Sequence, residues 1–277
     1  MSSRETVTSH DLHSAASGPQ AALTVENLSH SFRTPDGAVM AALTGISLTV
    51  PEKEFFTVVG PTGCGKSTLL NIAAGLLPPS RGSVGLVKNT PSGPVKPTVG
   101  YITQDSNLLP WCTAIQNIAL GLEARRVPRA ERISRATEWA HRVGLEGFEN
   151  HYPRHLSGGM QKRCSIARTM VYEPDILFMD EPFSALDAIT RTLIHKVFLD
   201  IFQGSRKTVV FITHDLNEAL ALSDRVAVMS GRPGRITTIV DVPFPRPREI
   251  DHISRAPGFQ DLHDQLWSLL EADLPAG

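Results

Sequence analysis

The sequence predicts an α/β domain with a mostly parallel sheet, and three observations carry that reading. Short apolar runs, FFTVV (55–59), ILFMD (176–180) and TVVFIT (208–213), read as buried strands. Each is followed by a helical pattern: LLNIAAGLL, a stretch near 187–203, and one near 215–222. Strands alternating with helices lay down a parallel sheet covered by helices. Between about Trp111 and Tyr172 the texture changes to helical patterns alone, which reads as an insertion.

In chain order, the first stretch, MSSRETVTSHDLHSAASGPQ, is polar and Ser-rich, without the apolar core of a secretory signal. Residues 1–21 are expected to be a disordered tail. Order begins near Ala22, and one domain is expected over 22–245. ISLTV (46–50) alternates as a half-buried strand does, and PPSRG (78–82) punctuates the end of the first helix. Short strands VGLV (84–87) and VGYI (99–102) follow. The helical subdomain is expected over about 105–172, from TAIQNIALGL, ERISRATEWAHRV and SGGMQKRCSIARTMV. In the helix near 187–203, Ile189, Leu193, Val197 and Ile201 recur every four residues and predict its apolar face. Two further strands, VAVMS (226–230) and ITTIVDV (236–242), complete the domain. Residues 246–277 are expected as an extension ending in an amphipathic helix, GFQDLHDQLWSLLEADL.

Composition narrows the function. The 277 residues carry 27 Lys and Arg against 28 Asp and Glu, a formal charge of −1. No global basic field argues for nucleic acid, so no nucleic-acid partner is expected. Cys64, Cys112 and Cys164 lie far apart without a CxxC pair, as reduced thiols of a cytosolic protein do. No apolar run approaches the length of a membrane span, so any work at a membrane goes through a partner.

GPTGCGKST (60–68) matches G-x-x-x-x-G-K-[ST] in full. Gly60 and Gly65 let the backbone wrap a phosphate closely. The loop between them, Pro61, Thr62, Gly63 and Cys64, leads into a helix start where N–H groups and the macrodipole favour an anion. Lys66 reaches the outer phosphates, Ser67 is placed to ligate Mg²⁺, and Thr68 completes the motif. A chance match in a chain this long is on the order of one per cent. LSGGMQKR (156–163) is a second candidate phosphate grip, since Ser157, Gly158 and Gly159 also open a helix.

Acids and a histidine follow the other strands. ILFMD-E delivers Asp180 and Glu181 to the C-terminal edge of the sheet, where ligands bind in open α/β folds. Asp180 is then expected to hold Mg²⁺, and Glu181 to act as general base on the attacking water. Taken alone, the same pair also suits a solvated helix start. His214 ends TVVFIT at the same edge, placed for a γ-phosphate and its water, while Asp215 also reads as a helix cap. Gln104 follows VGYIT and is a candidate ligand of Mg²⁺ or of that water.

Taken in order, GPTGCGKST, Gln104, LSGGM, ILFMDE, SALD (184–187) and His214 resemble the ATPase subunit of an ATP-binding cassette (ABC) transporter over about residues 22–245. The resemblance implies an ABC-type P-loop NTPase fold with a mostly parallel core sheet, an antiparallel β part and a helical subdomain. It implies ATP hydrolysis with Mg²⁺, and two copies arranged head to tail. Each ATP then lies on one phosphate loop under the Ser157, Gly158 and Gly159 of the other copy. Phe32 would stack on the adenine, and Ser184 to Asp187 would link the two sites. LLPWCTAIQNIALGLE (108–123), DEPFSALDAITR (180–191) and VPFPRPREI (242–250) are similar to importers of the nitrate, sulfonate, taurine and bicarbonate group. That implies a membrane-spanning permease reached near Gln104 and Trp111, a separate solute-binding protein, and a place on the cytoplasmic face of the membrane. Trp111 reads equally as a buried residue of the helical part. An exporter, a lipid-trafficking complex or a non-transport ABC ATPase shares the catalytic motifs.

Overall fold

Two long strands open the chain, β1 (Ala21–Arg33) and β2 (Val39–Pro51), paired antiparallel in a computed structural model that describes residues 20–184, 186–205, 207–248 and 252–272. The side chains of residues 201 and 203–205 are not among those described, and the expected tail lies outside the described residues but for Gln20 and Ala21. β3 (Phe55–Val59) is buried at all five positions, as its unbroken apolar run requires. Then come α1 (Lys66–Ala73), β4 (Arg81–Leu86) and a small hairpin of β5 (Lys88–Thr90) and β6 (Gly93–Val95). β4 pairs with β1, giving an antiparallel sheet in the order β2-β1-β4.

β7 (Val99–Ile102) leads into the helical part, α2 (Ala114–Ala124), α3 (Arg129–Arg142) and α4 (Gly158–Met170). A capping box starts α2, with Thr113 and Gln116 each bonding the other's backbone. The chain then alternates: β8 (Ile176–Asp180), α5 (Ala188–Ser205), β9 (Thr208–Ile212), α6 (Leu216–Leu222), β10 (Arg225–Met229), β11 (Ile236–Asp241) and α7 (Phe259–Glu271). The core sheet runs β11-β10-β3-β9-β8-β7, parallel throughout except for β11 at one edge. This is the predicted fold class.

Strand alternation divides the interior. Phe55, Leu177, Met179, Val209 and Phe211 face the helices α2 to α5. Their neighbours Phe56, Ile176, Phe178, Val210 and Ile212 face α1 and the antiparallel sheet. The two-residue period of a strand thus sends α1 and α4 to opposite faces.

The predicted apolar face of α5 is wrong. Ile189 and Leu193 are 77% and 53% exposed, and the buried row is Ile194, His195, Phe198, Leu199 and Phe202. A strict spacing of four drifts by about 40° per step around a helix, so that stripe cannot stay against the sheet. Phe198 and Phe202 fill the space beside Phe55 and Phe183 instead, with ring centroids at 5.4 Å for Phe183–Phe198 and 5.1 Å for Phe55–Phe202. The side chain of Ile201 lies outside those described.

The extension after residue 245 shares the core. Phe259 and Leu266 of α7 are buried with Leu216, Leu220, Val226 and Val228. Arg246 and Arg248 close the carbonyl end of α6, donating to Leu222 O (2.6 Å) and Leu220 O (3.3 Å) among others. Burial pushes the Arg248 pKa down to about 10. Leu266→Ala is therefore expected to cost about 2–5 kcal/mol in urea unfolding, whereas Trp267→Ala, at a half-exposed position, stays within about 0.5 kcal/mol.

Candidate functional site

Strand register brings four loops to one rim. Val58 pairs with Ile212, Ile212 with Asp180, and Met179 with Ile102. The segments after β3, β9, β8 and β7 therefore leave the sheet side by side, carrying Gly60–Thr68, His214, Glu181 and Gln104. The predicted strand-end residues are neighbours.

The Gly60 loop is tight for steric reasons. A Cβ on Gly60 would stand 2.7 Å from Met229 O, and one on Gly65 2.8 Å from Leu43 Cδ2, with Gly65 also at φ +106°. Lys66 is buried, and its Nζ donates to Gly60 O (2.8 Å) and Pro61 O (3.0 Å), spanning the loop from inside. Arg232, which the sequence reading overlooked, donates from Nη2 to Gly63 O (2.9 Å). Thr62, Gly63 and Ser67 are exposed, Pro61 and Thr68 half-buried. Cys64 is buried beneath the loop, and burial pushes its thiol up. α1 starts without a side-chain cap or an acid in its first turn, leaving its positive end facing the loop.

The acids stand opposite. Ser67 Oγ donates to Asp180 Oδ1 at 3.1 Å. Burial pushes the Asp180 carboxyl above its ordinary value, and the neighbouring Glu181 adds to this against Ser67, Lys66 and Lys162. Glu181 has φ +41°, a left-handed backbone that non-glycine residues seldom adopt. Its N–H continues the ladder to Ile212 O (3.0 Å) while the side chain turns to the rim. There Glu181 Oε2 lies 3.1 Å from His214 Nδ1.

The Gln104 loop is clamped by α4. The Gln104 side chain is exposed, but Lys162, only 2% exposed, donates from Nζ to Thr103 O and to Gln104 O (2.8 Å). Burial lowers the Lys162 pKa to about 8, against the pull of Asp105 and Asp180. Arg168 adds bonds to Asn107 O (2.7 Å) and Ser106 O (3.0 Å). The sequence signal for Lys162 was faint: a lysine three residues past Gly159 reads as a surface residue.

The second grip stands apart. Ser157 caps α4, accepting from Met160 N–H at 3.2 Å, and Gly158 is exposed. A Cβ on Gly159 would touch Thr190 at 3.4 Å. Among the described residues, no hydrogen bond or ion pair joins Ser157, Gly158 or Gly159 to the Gly60 loop. Asp187 caps the start of α5, accepting from Thr190 N–H at 3.0 Å, and those bonds hold its carboxyl below the ordinary range; Ala185 in this segment lies outside the described residues. Phe32 is 39% exposed on β1, edge-on to His30, and pairs with Met40, which touches Arg232. Trp111 is 71% exposed, which rules out the buried alternative.

The family model described as ABC transporter matches residues 43–184. An uncharacterised ABC transporter ATP-binding protein of Methanocaldococcus jannaschii is 49% identical over 82% of this chain and 84% of its own. The taurine import ATP-binding protein TauB of Rhizobium johnstonii is 41% identical over 90% of this chain and 97% of its own. A solved dimeric ATP-binding cassette in a post-hydrolysis state, bound to ADP and Pi, superposes with a TM-score of 0.70 at 30% identity, covering 80% of this chain and all of that one.

Lys162 yields a pH test. Its folded pKa, about 8, lies below the ordinary 10.5. Between those values the unfolded chain binds the extra proton, so Lys162's contribution to stability rises with pH. Relative to Lys162→Met, the protein should gain about 1–2 kcal/mol between pH 8 and pH 10 in urea unfolding.

Proposed function

The chain belongs to the ABC transporter family, and we propose on that premise that two copies of it form the ATP-hydrolysing motor of an importer for a small anionic solute. The observation that carries the hydrolytic reading is the Glu181–His214 contact beside the Ser67–Asp180 pair. On this reading ATP lies with its phosphates on Gly60–Thr68, where Lys66 and the N-terminus of α1 meet the negative charge. Phe32 lies under the adenine.

The donor set at Ser67 suits Mg²⁺. A hydroxyl and a carboxylate, both hard oxygens, already stand within hydrogen-bond distance. Ser67 and Asp180 would hold the ion, with Gln104 as a further ligand; its charge would offset that developing on the phosphates. Glu181 accepts the proton of the attacking water. His214 orients that carboxylate and contacts the γ-phosphate. Positioning of this kind supplies most of the catalysis in phosphoryl transfer.

Two observations support the two-copy site. Ser157–Gly159 opens a helix packed on the sheet face opposite α1, and its N-terminus is exposed with no phosphate loop of its own chain bonded to it. Ile189 and Leu193 stand exposed next to Asp187, an apolar surface suited to a second copy. A head-to-tail pair would cover each ATP with Ser157, Gly158 and Gly159 of the partner, and Asp187 would lie between the sites.

For a permease, exposed Trp111, Phe148 and Tyr152 gather around the start of α2, where Ala114 N–H meets His151 O at 2.8 Å. Exposed aromatics of this kind favour protein contact. No helix among the described residues is long and apolar enough to cross a membrane, and on this reading the permease supplies the channel. Related chains are named for taurine and aliphatic sulfonate import, which supports a solute of the sulfonate type; the proposal adds a separate solute-binding protein and a place for this chain on the cytoplasmic face of the membrane.

Glu181→Gln should bind ATP without hydrolysing it and accumulate the closed pair. Size-exclusion chromatography with ATP and Mg²⁺ is expected to show a dimer; a monomer under saturating ATP would count against the shared site.

A further inference from the structure

Among the buried carboxylates outside the machinery described so far, one stands close to His214 in the chain. Glu218, on α6, is 7% exposed. Its Oε2 accepts from Thr213 Oγ1 at 2.6 Å. Thr213 Oγ1 in turn accepts from Asp215 N–H at 3.0 Å, and Asp215 caps α6 by accepting from Asn217 N–H at 2.8 Å. Thr213, Asp215 and Glu218 thus close a ring around His214, fixing the backbone on both of its flanks.

The other oxygen of Glu218 faces α5. His195 Nε2, on a ring 5% exposed, lies 3.3 Å from Oε1, and Arg191 Nε lies 3.9 Å from the same atom. Neither nitrogen makes a hydrogen bond, to Glu218 or to any other group, so two buried donors without partners stand beside one carboxylate oxygen. Arg191 Nη2 also donates to Leu186 O at 3.0 Å, next to Asp187. A buried carboxylate is tolerable only when its partners are held to it, and here those partners come from the segment carrying Asp187.

We propose that Glu218 is a positioning residue for hydrolysis, which sets His214 against Glu181 and ties that orientation to the Asp187 segment through His195 and Arg191. A shift of α5 changes the partners of Glu218 Oε1. The change passes through Thr213 to His214, with no contact between Glu218 and ATP. The inference rests on the assignment of His214 to the hydrolytic site.

A double-mutant cycle tests it, read by single-turnover ATP hydrolysis and ATP affinity of the full-length chain. Glu218→Gln is expected to slow hydrolysis by about ten-fold or more with ATP affinity within about two-fold. In the His214→Ala background the same change should cost less than about two-fold. Equal losses in both backgrounds would overturn the proposal, as would a loss confined to affinity. If His214→Ala alone leaves the rate unchanged, the site assignment has failed, and the inference with it. Should Glu218→Gln lower the melting temperature, Thr213→Val carries the same cycle by removing only the hydroxyl. His195→Leu tests the α5 link: it should slow hydrolysis in the otherwise native chain and have no effect beside Glu218→Gln. Additive effects there would sever α5 from His214.

Discussion

The parallel pairing of β3, β9 and β8 is the constraint on which the rest of the molecule depends. These strands are far apart in sequence and adjacent in the sheet, with β9 in the middle. Parallel strands end on the same edge. The phosphate loop after β3, the histidine after β9 and the acids after β8 are therefore delivered to one rim. Slipping β8 by one residue would exchange its two faces, burying Asp180 and moving Glu181 from His214. The apolar runs that hold this register, buried on both sides, are thus as much a part of the site as its charged groups.

The same alternation separates the Gly60 loop from the Ser157 segment. In β8 and β9, and at Phe55 and Phe56 of β3, odd positions support the helices α2 to α5 and even positions support α1 and the antiparallel sheet. The Gly60 loop and Ser157 consequently rest on different cores. Buried charges tie the helices of one face to the rim. Lys162 holds the backbone at Gln104 from α4, and Glu218 holds the turn at His214 against α5. Buried polar contacts of this kind are costly to break, which makes them suited to transmitting a displacement rather than absorbing it. A partner copy pressing on α4 and α5 would be felt at Gln104 and His214.

What the sequence revealed, and what it hid, follows from the range of the interactions. The phosphate loop is a local structure: nine consecutive residues hold the steric and chemical requirements, and they were legible. Asp180, Glu181 and His214 were legible because a buried strand that ends abruptly in polar residues advertises its own edge. Lys162, Arg232 and Glu218 were not. Each is ordinary in its local pattern and acquires a role only when a distant backbone oxygen, hydroxyl or imidazole is folded against it. The face of α5 failed for the same reason: Ile189 and Leu193 satisfy a helical period, but the aromatic residues 198 and 202, packed beside Phe55 and Phe183, decide which side is buried. Trp111 could be read either way until its exposure was seen.

The central claim is that a complete site needs the Gly60 loop of one copy and the Ser157 segment of another. Mixing two disabled variants tests it most directly. Lys66→Ala lacks the lysine of the phosphate loop but keeps its Ser157 segment, and Ser157→Arg has the reverse defect. Each alone is expected to fail to turn over ATP. Mixed, they should recover hydrolysis, because the mixed pair contains one site assembled from two intact halves. A mixture as inactive as its components, despite mixed dimers shown to form, would contradict the shared site.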